Sequence, residues 1–172
     1  LIQSVWGWSV LTTGFAIAPG PLMAFFVAPP AGRMADRIGN RLILTVCGSS
    51  GAIGMGLFII NFGAEPQYLS DILLPSLFIG VAAGTGFSQL VGAAMRDVPP
   101  HQYAMGGAGR TTAFQMAIAL GIAVAVAIIG RPASPAEALA AYEDSWLVGV
   151  AAYGAAAVIV AAFYPNKPVA TA

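Results

Sequence analysis

The segment Gly32-Arg33-Met34-Ala35-Asp36-Arg37-Ile38-Gly39-Asn40-Arg41 separates two long apolar runs. It holds four charged side chains, although the whole chain of 172 residues has only seven Lys or Arg and seven Asp or Glu. A short charged segment between apolar runs is typical of a loop that joins two membrane-spanning helices. Gly39 permits a tight turn there, because glycine adopts backbone conformations that other residues avoid.

The composition excludes a soluble domain. Hydrophobic residues make up 58% and charged residues 8% of the chain, and the mean hydropathy is +0.81. A soluble domain has about 25% charged residues. The short segments of alternating polarity that build a membrane barrel are absent from the sequence. We therefore predict an all-α, polytopic helical membrane protein.

Five apolar runs are long enough to cross a hydrocarbon core of about 30 Å as helices. They cover about 10–31, 42–62, 71–95, 107–129 and 145–164. Pro19 and Pro21 predict that the first span is bent or interrupted. In the third span, Gly80-x-x-x-Gly84 predicts close packing of helix backbones.

The connection before the last span carries a helix-start signal. Ser134-Pro135-Ala136-Glu137 combines a capping box with proline at the first helical position. We predict a short surface helix from this point to about Tyr142, followed by the last span.

The distribution of Lys and Arg predicts the orientation in the membrane. Loops on the cytoplasmic side carry an excess of these residues. Only Arg131 falls on one side, and the other side receives Arg33, Arg37, Arg41, Arg96, Arg110 and Lys167. The charged segment and the C-terminus are therefore predicted to be cytoplasmic, with the start of the chain outside, in a cell (inner) membrane.

The charged segment has a second interpretation, as a conformational latch. Asp36 can accept hydrogen bonds from free amides at the positive end of a neighbouring helix. Arg33, Arg37 and Arg41 can anchor the turn at the headgroups and pair with Asp36. Such a cluster can link two helices in one conformation and release them in another. The alternative is an ordinary positively charged loop with no gating role.

The pattern Gly32-x-x-x-Asp36-Arg37-x-Gly39-x-Arg41 resembles the cytoplasmic signature of the major facilitator superfamily. Two further stretches are similar to its fourteen-helix drug:proton antiporter (EmrB/QacA-like) members. One is Gly7-Trp8-Ser9 with Gly14 and Pro19, although Val10 stands where proline is usual. The other runs from Val98-Pro99-Pro100 to Leu120-Gly121-Ile122-Ala123. The chain departs from this family at Thr111 and Phe114, where members often carry Asn and Arg.

This resemblance implies that the chain is part of the C-terminal half of a transporter. Residues 1–172 would supply the second to sixth helices of that half, with its first helix and the N-terminal half absent. Two such halves rock around a site near the middle of the membrane. No acidic residue lies near the middle of a span, so proton-coupling carboxylates are expected in the missing half.

A few polar, aromatic and methionine side chains within the spans are candidates for a substrate cavity. Such a lining suits a hydrophobic, loosely specified ligand. Ordinary packing between helices is the alternative for each of them. The candidates are Met23, Phe26, Phe78, Thr85, Gln89, Thr111 and Gln115.

Other classes of function have no support in the sequence. It has no His/Cys metal spacing, no phosphate-binding glycine loop and no catalytic triad, so we predict no enzyme, cofactor or metal. The basic residues are too few and scattered for nucleic acid. The sequence thus predicts a secondary active transporter that exports hydrophobic or amphiphilic drugs in exchange for protons. The alternatives are a transporter of a defined metabolite and a membrane scaffold or sensor that does not transport.

Overall fold

The computed structural model describes residues 2–63, 65–95 and 98–164. Arg96 and Lys167, two of the residues counted to predict the orientation, lie outside these ranges. Asp97 also lies outside them. The described residues contain helices and no strand. The α-helices are α1 (Ile2–Val5), α2 (Val10–Ile17), α3 (Pro19–Ile38), α4 (Asn40–Asn61), α5 (Leu74–Met95), α6 (Tyr103–Ile129) and α7 (Pro135–Phe163). A π-helical segment (Tyr68–Leu73) leads into α5, and a 3₁₀ turn (Pro100–Gln102) leads into α6.

Five helical segments are long and apolar enough to cross a membrane. They correspond to the five predicted spans, so the prediction of an all-α polytopic membrane protein is confirmed. The first span comprises α2 and α3, and α4, α5, α6 and α7 form the others.

The first span is interrupted at Ala18, between α2 and α3. Proline has no N–H to donate to the carbonyl four residues before it. Pro19 and Pro21 therefore leave the carbonyls of Phe15 and Ile17 without their usual helical donors. The predicted interruption of this span is confirmed.

The charged segment is more helical than the sequence predicted. Helix α3 continues to Ile38 and α4 begins at Asn40, so Gly39 is the only non-helical residue between them. Its φ of 88° lies in the region that favours glycine. Long charged side chains reach the headgroup layer from a helix end, so the helix has no physical reason to stop where the apolar run stops.

The last span also begins earlier than predicted. The Ser134 hydroxyl accepts a hydrogen bond from Glu137 N at 3.2 Å, and the Glu137 carboxylate accepts one from Ala133 N at 2.9 Å. The serine half of the predicted capping box is therefore present, whereas the Glu137 carboxylate reaches the amide before the N-cap; the separate surface helix ending near Tyr142 is absent. Residues 136–148 contain no glycine or proline to end it, so α7 is one helix of 29 residues.

Helix α4 packs along α5 on one side and α7 on the other. Glycines allow the close approach to α7. A Cβ atom on Gly48 would lie 2.8 Å from the backbone nitrogen of Ala157, and Gly51 lies against the ring of Tyr153. Larger residues at these glycines would push the two helices apart.

Helix α5 also packs along α3. Gly80 faces the backbone of Gly20, and Gly84 faces the backbone of Ala24. The small-residue pair predicted from the sequence therefore packs within the bundle, as expected for helices that associate in lipid.

The two ends of the bundle differ in chemistry. At the aromatic end, the rings of Trp6 and Phe62 stack with centroids 4.4 Å apart, and Trp146 lies 5.5 Å from Phe62. At the charged end, Gly39 joins α3 to α4 and Arg41 reaches the last turn of α7. Trp residues at one end and Arg residues at the other suit the two headgroup regions of a bilayer.

Candidate functional site

The interrupted first span borders two adjoining cavities. They have volumes of about 380 Å³ and about 460 Å³ and share Ile17, Phe58 and Ser76 in their walls. Together they form what we call the crevice, which runs from the aromatic end to the crossing of α3 and α5. Most small-molecule sites are concave, apolar and of this size.

The walls of the crevice are aromatic and aliphatic. Phe62, Tyr142 and Trp146 line the part near the aromatic end, and Phe58 and Trp146 are stacked with ring centroids 5.2 Å apart. Phe87 lines the deeper part. Aromatic faces favour offset or edge contacts with other rings, so these walls suit a ligand that carries a planar ring.

Few polar groups lie in this apolar wall. The Thr13 hydroxyl oxygen is buried and has no hydrogen-bond partner among the described residues. Ser76, which is 7% exposed, lines both cavities. Ile17 lines both as well, and Pro21 deprives its carbonyl of a helical donor. A hydroxyl without a protein partner in an apolar cavity favours a ligand with its own hydrogen-bonding group.

Four of the seven predicted cavity residues lie where α5 meets its neighbours. Thr85 and Gln89 are 4% and 5% exposed on α5. The Thr85 hydroxyl donates to the carbonyl of Val81 at 2.7 Å. Phe78 is half-buried on α5, and Met23 of α3 lies beside Gly80.

The other three predicted cavity residues lie on exposed faces. Phe26 is 68% exposed on α3, and Thr111 and Gln115 are exposed on α6, a helix without a buried residue along its length. None of the seven predicted residues lines either cavity of the crevice. Their assignment as substrate contacts stays a prediction.

Sequence reasoning missed Ile17, Phe58 and Trp146 as cavity residues. Two signals were available: the prolines that interrupt the first span beside Ile17, and the aromatic residues at the ends of neighbouring spans. Neither signal gives the spacing between helices that opens the crevice.

The charged hairpin, residues 32–41, presents its charges outward. Arg33, Asp36 and Arg37 are exposed on the last turns of α3. Asp36 forms no ion pair within the described part of the chain. The predicted pairing of Asp36 with its neighbouring arginines is not made in this conformation, which leaves the carboxylate accessible to another helix.

Arg41 differs from the other arginines of the hairpin. Its guanidinium group donates to the carbonyl oxygen of Ala161, in the last turn of α7. Carbonyls in the last turn of a helix lack helical donors and carry partial negative charge. Arg41 therefore ties the start of α4 to the end of α7.

Arg110 is half-buried near the start of α6. Among the residues that the structure describes, no three His, Cys, Asp or Glu side chains form a group able to hold a metal ion.

Comparison with known proteins gives distant relatives. The chain is 32% identical over 105 residues to a multidrug resistance protein B homolog of Mycobacterium tuberculosis; the match covers 61% of this chain and 19% of that protein. It is 29% identical over 115 residues to the riboflavin transporter RibZ of Clostridioides difficile, which covers 67% of this chain and 25% of that protein.

The chain thus spans between a fifth and a quarter of the length of these curated relatives. No family model matches it, and no solved structure matches it. With five apolar helices and relatives named as transport or drug-resistance proteins, the chain is a multi-pass membrane segment similar to transporters.

Proposed function

We propose that the chain belongs to a secondary active transporter of the major facilitator superfamily, of the fourteen-helix drug:proton antiporter type. In this proposal it exports hydrophobic or amphiphilic small molecules by alternating access. The observation that carries the proposal is the aromatic crevice along a span that is interrupted beside Pro19 and Pro21. The similarity to a multidrug resistance protein homolog supports the drug-export branch.

The crevice has the chemistry that a broadly selective exporter needs. Apolar and aromatic walls bind by burial of surface, which depends little on the exact shape of the ligand. The hydroxyls of Thr13 and Ser76 add weak orientation without requiring a charged substrate.

Proton coupling is assigned to parts of the full-length protein outside this chain. Among the described residues, Asp71 is the one buried acidic side chain, at 2% exposure. It accepts hydrogen bonds from Gln67 N at 2.8 Å and from the Ser70 hydroxyl at 2.6 Å, before the start of α5. These bonds give Asp71 a capping role, and it lies at the end of a span.

The exposed Asp36 is proposed as the latch between this half and the rest of the protein. In this proposal the bundle sits in the inner membrane with its charged end in the cytoplasm. There, Asp36 meets the positive end of a helix from the other half in one conformation and releases it in the other. The bilayer, protons and the other half are thus the partners of this chain.

Dye efflux from cells tests the function. Cells that express the full-length protein should expel an ethidium-like dye, and an uncoupler should abolish the efflux. Phe58→Ala should reduce efflux because it removes an aromatic wall of the crevice. Phe15→Ala, at a residue that is 72% exposed in the same bundle, is the control. Equal efflux from both variants would contradict the proposal that the substrate binds in the crevice.

The latch has its own test. Asp36→Asn should lower efflux and leave membrane insertion unchanged, whereas Asp144→Asn, at an exposed acid in α7, should keep efflux. Unchanged efflux in Asp36→Asn would remove the latch. No proton-dependent movement of any substrate would favour a membrane scaffold or sensor.

A metabolite transporter is the second candidate. It is favoured by the similarity to the riboflavin transporter RibZ and by the Thr13 hydroxyl, which lies in an aromatic cavity without a partner among the described residues. Movement of radiolabelled riboflavin by the purified full-length protein in vesicles, without dye efflux, would support it.

A further inference from the structure

A second concave site lies at the charged end, away from the crevice. It is a groove of about 480 Å³ between the start of α4 and the end of α7, and its walls are Ile38, Arg41, Leu42, Thr45 and Ala161. None of these residues lines the crevice. We call it the Arg41 groove.

The groove contains one cation held in a fixed position. A guanidinium group has five N–H donors. Arg41 uses its Nη2 atom to bind the carbonyl of Ala161, and the remaining donors have no partner within the described residues. The bond to α7 orients the planar group, so less rotamer freedom is lost when the other donors bind a ligand.

Within the part of the chain that the structure describes, no acidic side chain lines the groove or neutralises the charge of Arg41. The Thr45 hydroxyl, which also lines the groove, donates to the carbonyl of Arg41 at 2.8 Å. Arginine binds phosphate through two parallel N–H donors, so a phosphate group is the ligand head that this site fits.

The remaining walls are apolar and exposed. Ile38 is 41% exposed and Leu42 is 52% exposed. A ligand that satisfies both parts of the groove carries a phosphate at one end and hydrocarbon at the other. The exposed Arg33 and Arg37 on the same hairpin add to the positive potential that attracts anionic lipid.

We propose that the Arg41 groove binds the headgroup of an anionic phospholipid from the leaflet at the charged end. The phosphate lies against Arg41, and the first part of an acyl chain lies along Ile38 and Leu42. The lipid stabilises the contact between α4 and α7 that Arg41 already makes. This site does not depend on the substrate that the crevice takes.

Native mass spectrometry of the full-length protein, extracted from vesicles of equal phosphatidylglycerol and phosphatidylcholine, tests the proposal. The wild type should retain phosphatidylglycerol preferentially. Arg41→Gln should lower that retention by more than about fivefold, because direct contact between the guanidinium and the phosphate adds to the effect of one basic residue at a lipid surface. Arg37→Gln, at an exposed arginine outside the groove, should lower it by no more than that surface effect. Equal loss in both variants would overturn the proposal, because diffuse surface charge would then explain the binding.

A second variant covers the case in which loss of the bond to Ala161 prevents folding. Thr45→Glu leaves Arg41 in place and adds a carboxylate to the groove, so it should also remove the preference for phosphatidylglycerol. Retention unchanged in Thr45→Glu would overturn the proposal.

Competition separates a lipid from a free anion. Inorganic phosphate at millimolar concentration should leave the lipid bound, because it cannot contact Ile38 and Leu42. Displacement of phosphatidylglycerol by inorganic phosphate would overturn the lipid assignment.

Discussion

The backbone of Gly84 in α5 lies against the backbone of Ala24 in α3. A Cβ atom on Gly84 would stand 2.6 Å from the carbonyl oxygen of Ala24, closer than real Cβ atoms approach. Because the obstacle is backbone, no side-chain rotation can relieve the clash. We expect Gly84→Ala to lower the free energy of unfolding by about 1–3 kcal/mol, measured by denaturation of the full-length protein in detergent.

Gly56 provides the matched control. It lies within α4, and a Cβ atom there would meet no atom within 4 Å. Alanine has a higher helix propensity than glycine by about 1 kcal/mol, so Gly56→Ala should leave stability unchanged or raise it. If the two variants unfold alike, the close crossing of α3 and α5 is not a source of stability.

Thr13→Val separates folding from ligand binding. Valine keeps the shape of threonine and removes a buried hydroxyl that has no partner among the described residues. A buried, unpaired hydroxyl is costly, so the variant should be as stable as the wild type or more stable by about 1 kcal/mol. Ligand affinity in the crevice should fall in the same variant, measured by fluorescence titration with the transported dye. A drop in stability would show that the hydroxyl has a partner in the folded protein.

Asp71 should respond differently to two substitutions. Its carboxylate accepts one hydrogen bond from Gln67 N and another from the Ser70 hydroxyl. Asp71→Ala leaves both donors without their acceptor and should lower the free energy of unfolding by about 1–3 kcal/mol. Asp71→Asn should cost less, because its oxygen can accept from Gln67 N while its amide donates to Ser70. Thermal unfolding in detergent measures both changes in stability. Glu65→Ala, which removes an exposed acidic side chain, is the control.

The start of α7 should depend on Ser134. Its hydroxyl accepts from the amide of Glu137, so Ser134→Ala should cost about 1 kcal/mol. Faster hydrogen exchange at the amides of 136–138 reports the change. Ser134→Asn keeps an acceptor at the cap and should preserve wild-type exchange. Fast exchange in both variants would mean that the hydroxyl itself, not an N-cap acceptor, holds this helix end.

The number of spans could be predicted from the sequence because the apolar runs are long and separated by charge or proline. The interruption at Pro19 and Pro21 and the cap at Ser134 could also be predicted, since each follows from the covalent chemistry of one or two residues. The residues at which the helices begin and end could not be predicted. Helix α3 continues past Arg33 and Asp36 to Ile38 because residues 33–38 contain no glycine or proline that would end it.

The lining of a cavity is harder to predict in such a chain. A soluble helix shows its inner face by an apolar stripe, but a helix that is apolar all round has no such stripe. Thr111 and Gln115 are polar residues in an apolar helix, and both are nevertheless exposed on α6. Thr85 and Gln89, of the same residue types, are buried on α5. The difference comes from which helices lie beside them, which is set by contacts far apart in the chain.

The single residue Gly39 restricts how α3 and α4 move relative to each other. Its φ and ψ, 88° and 160°, are the two soft torsions between the two helices. Because no other residue separates the two helices, α4 can change its angle to α3 or rotate about Gly39, but it cannot slide along α3. A displacement at the charged end of α3 is therefore passed to α4 as a change of angle, and through α4 to α7, which Arg41 holds by its last turn.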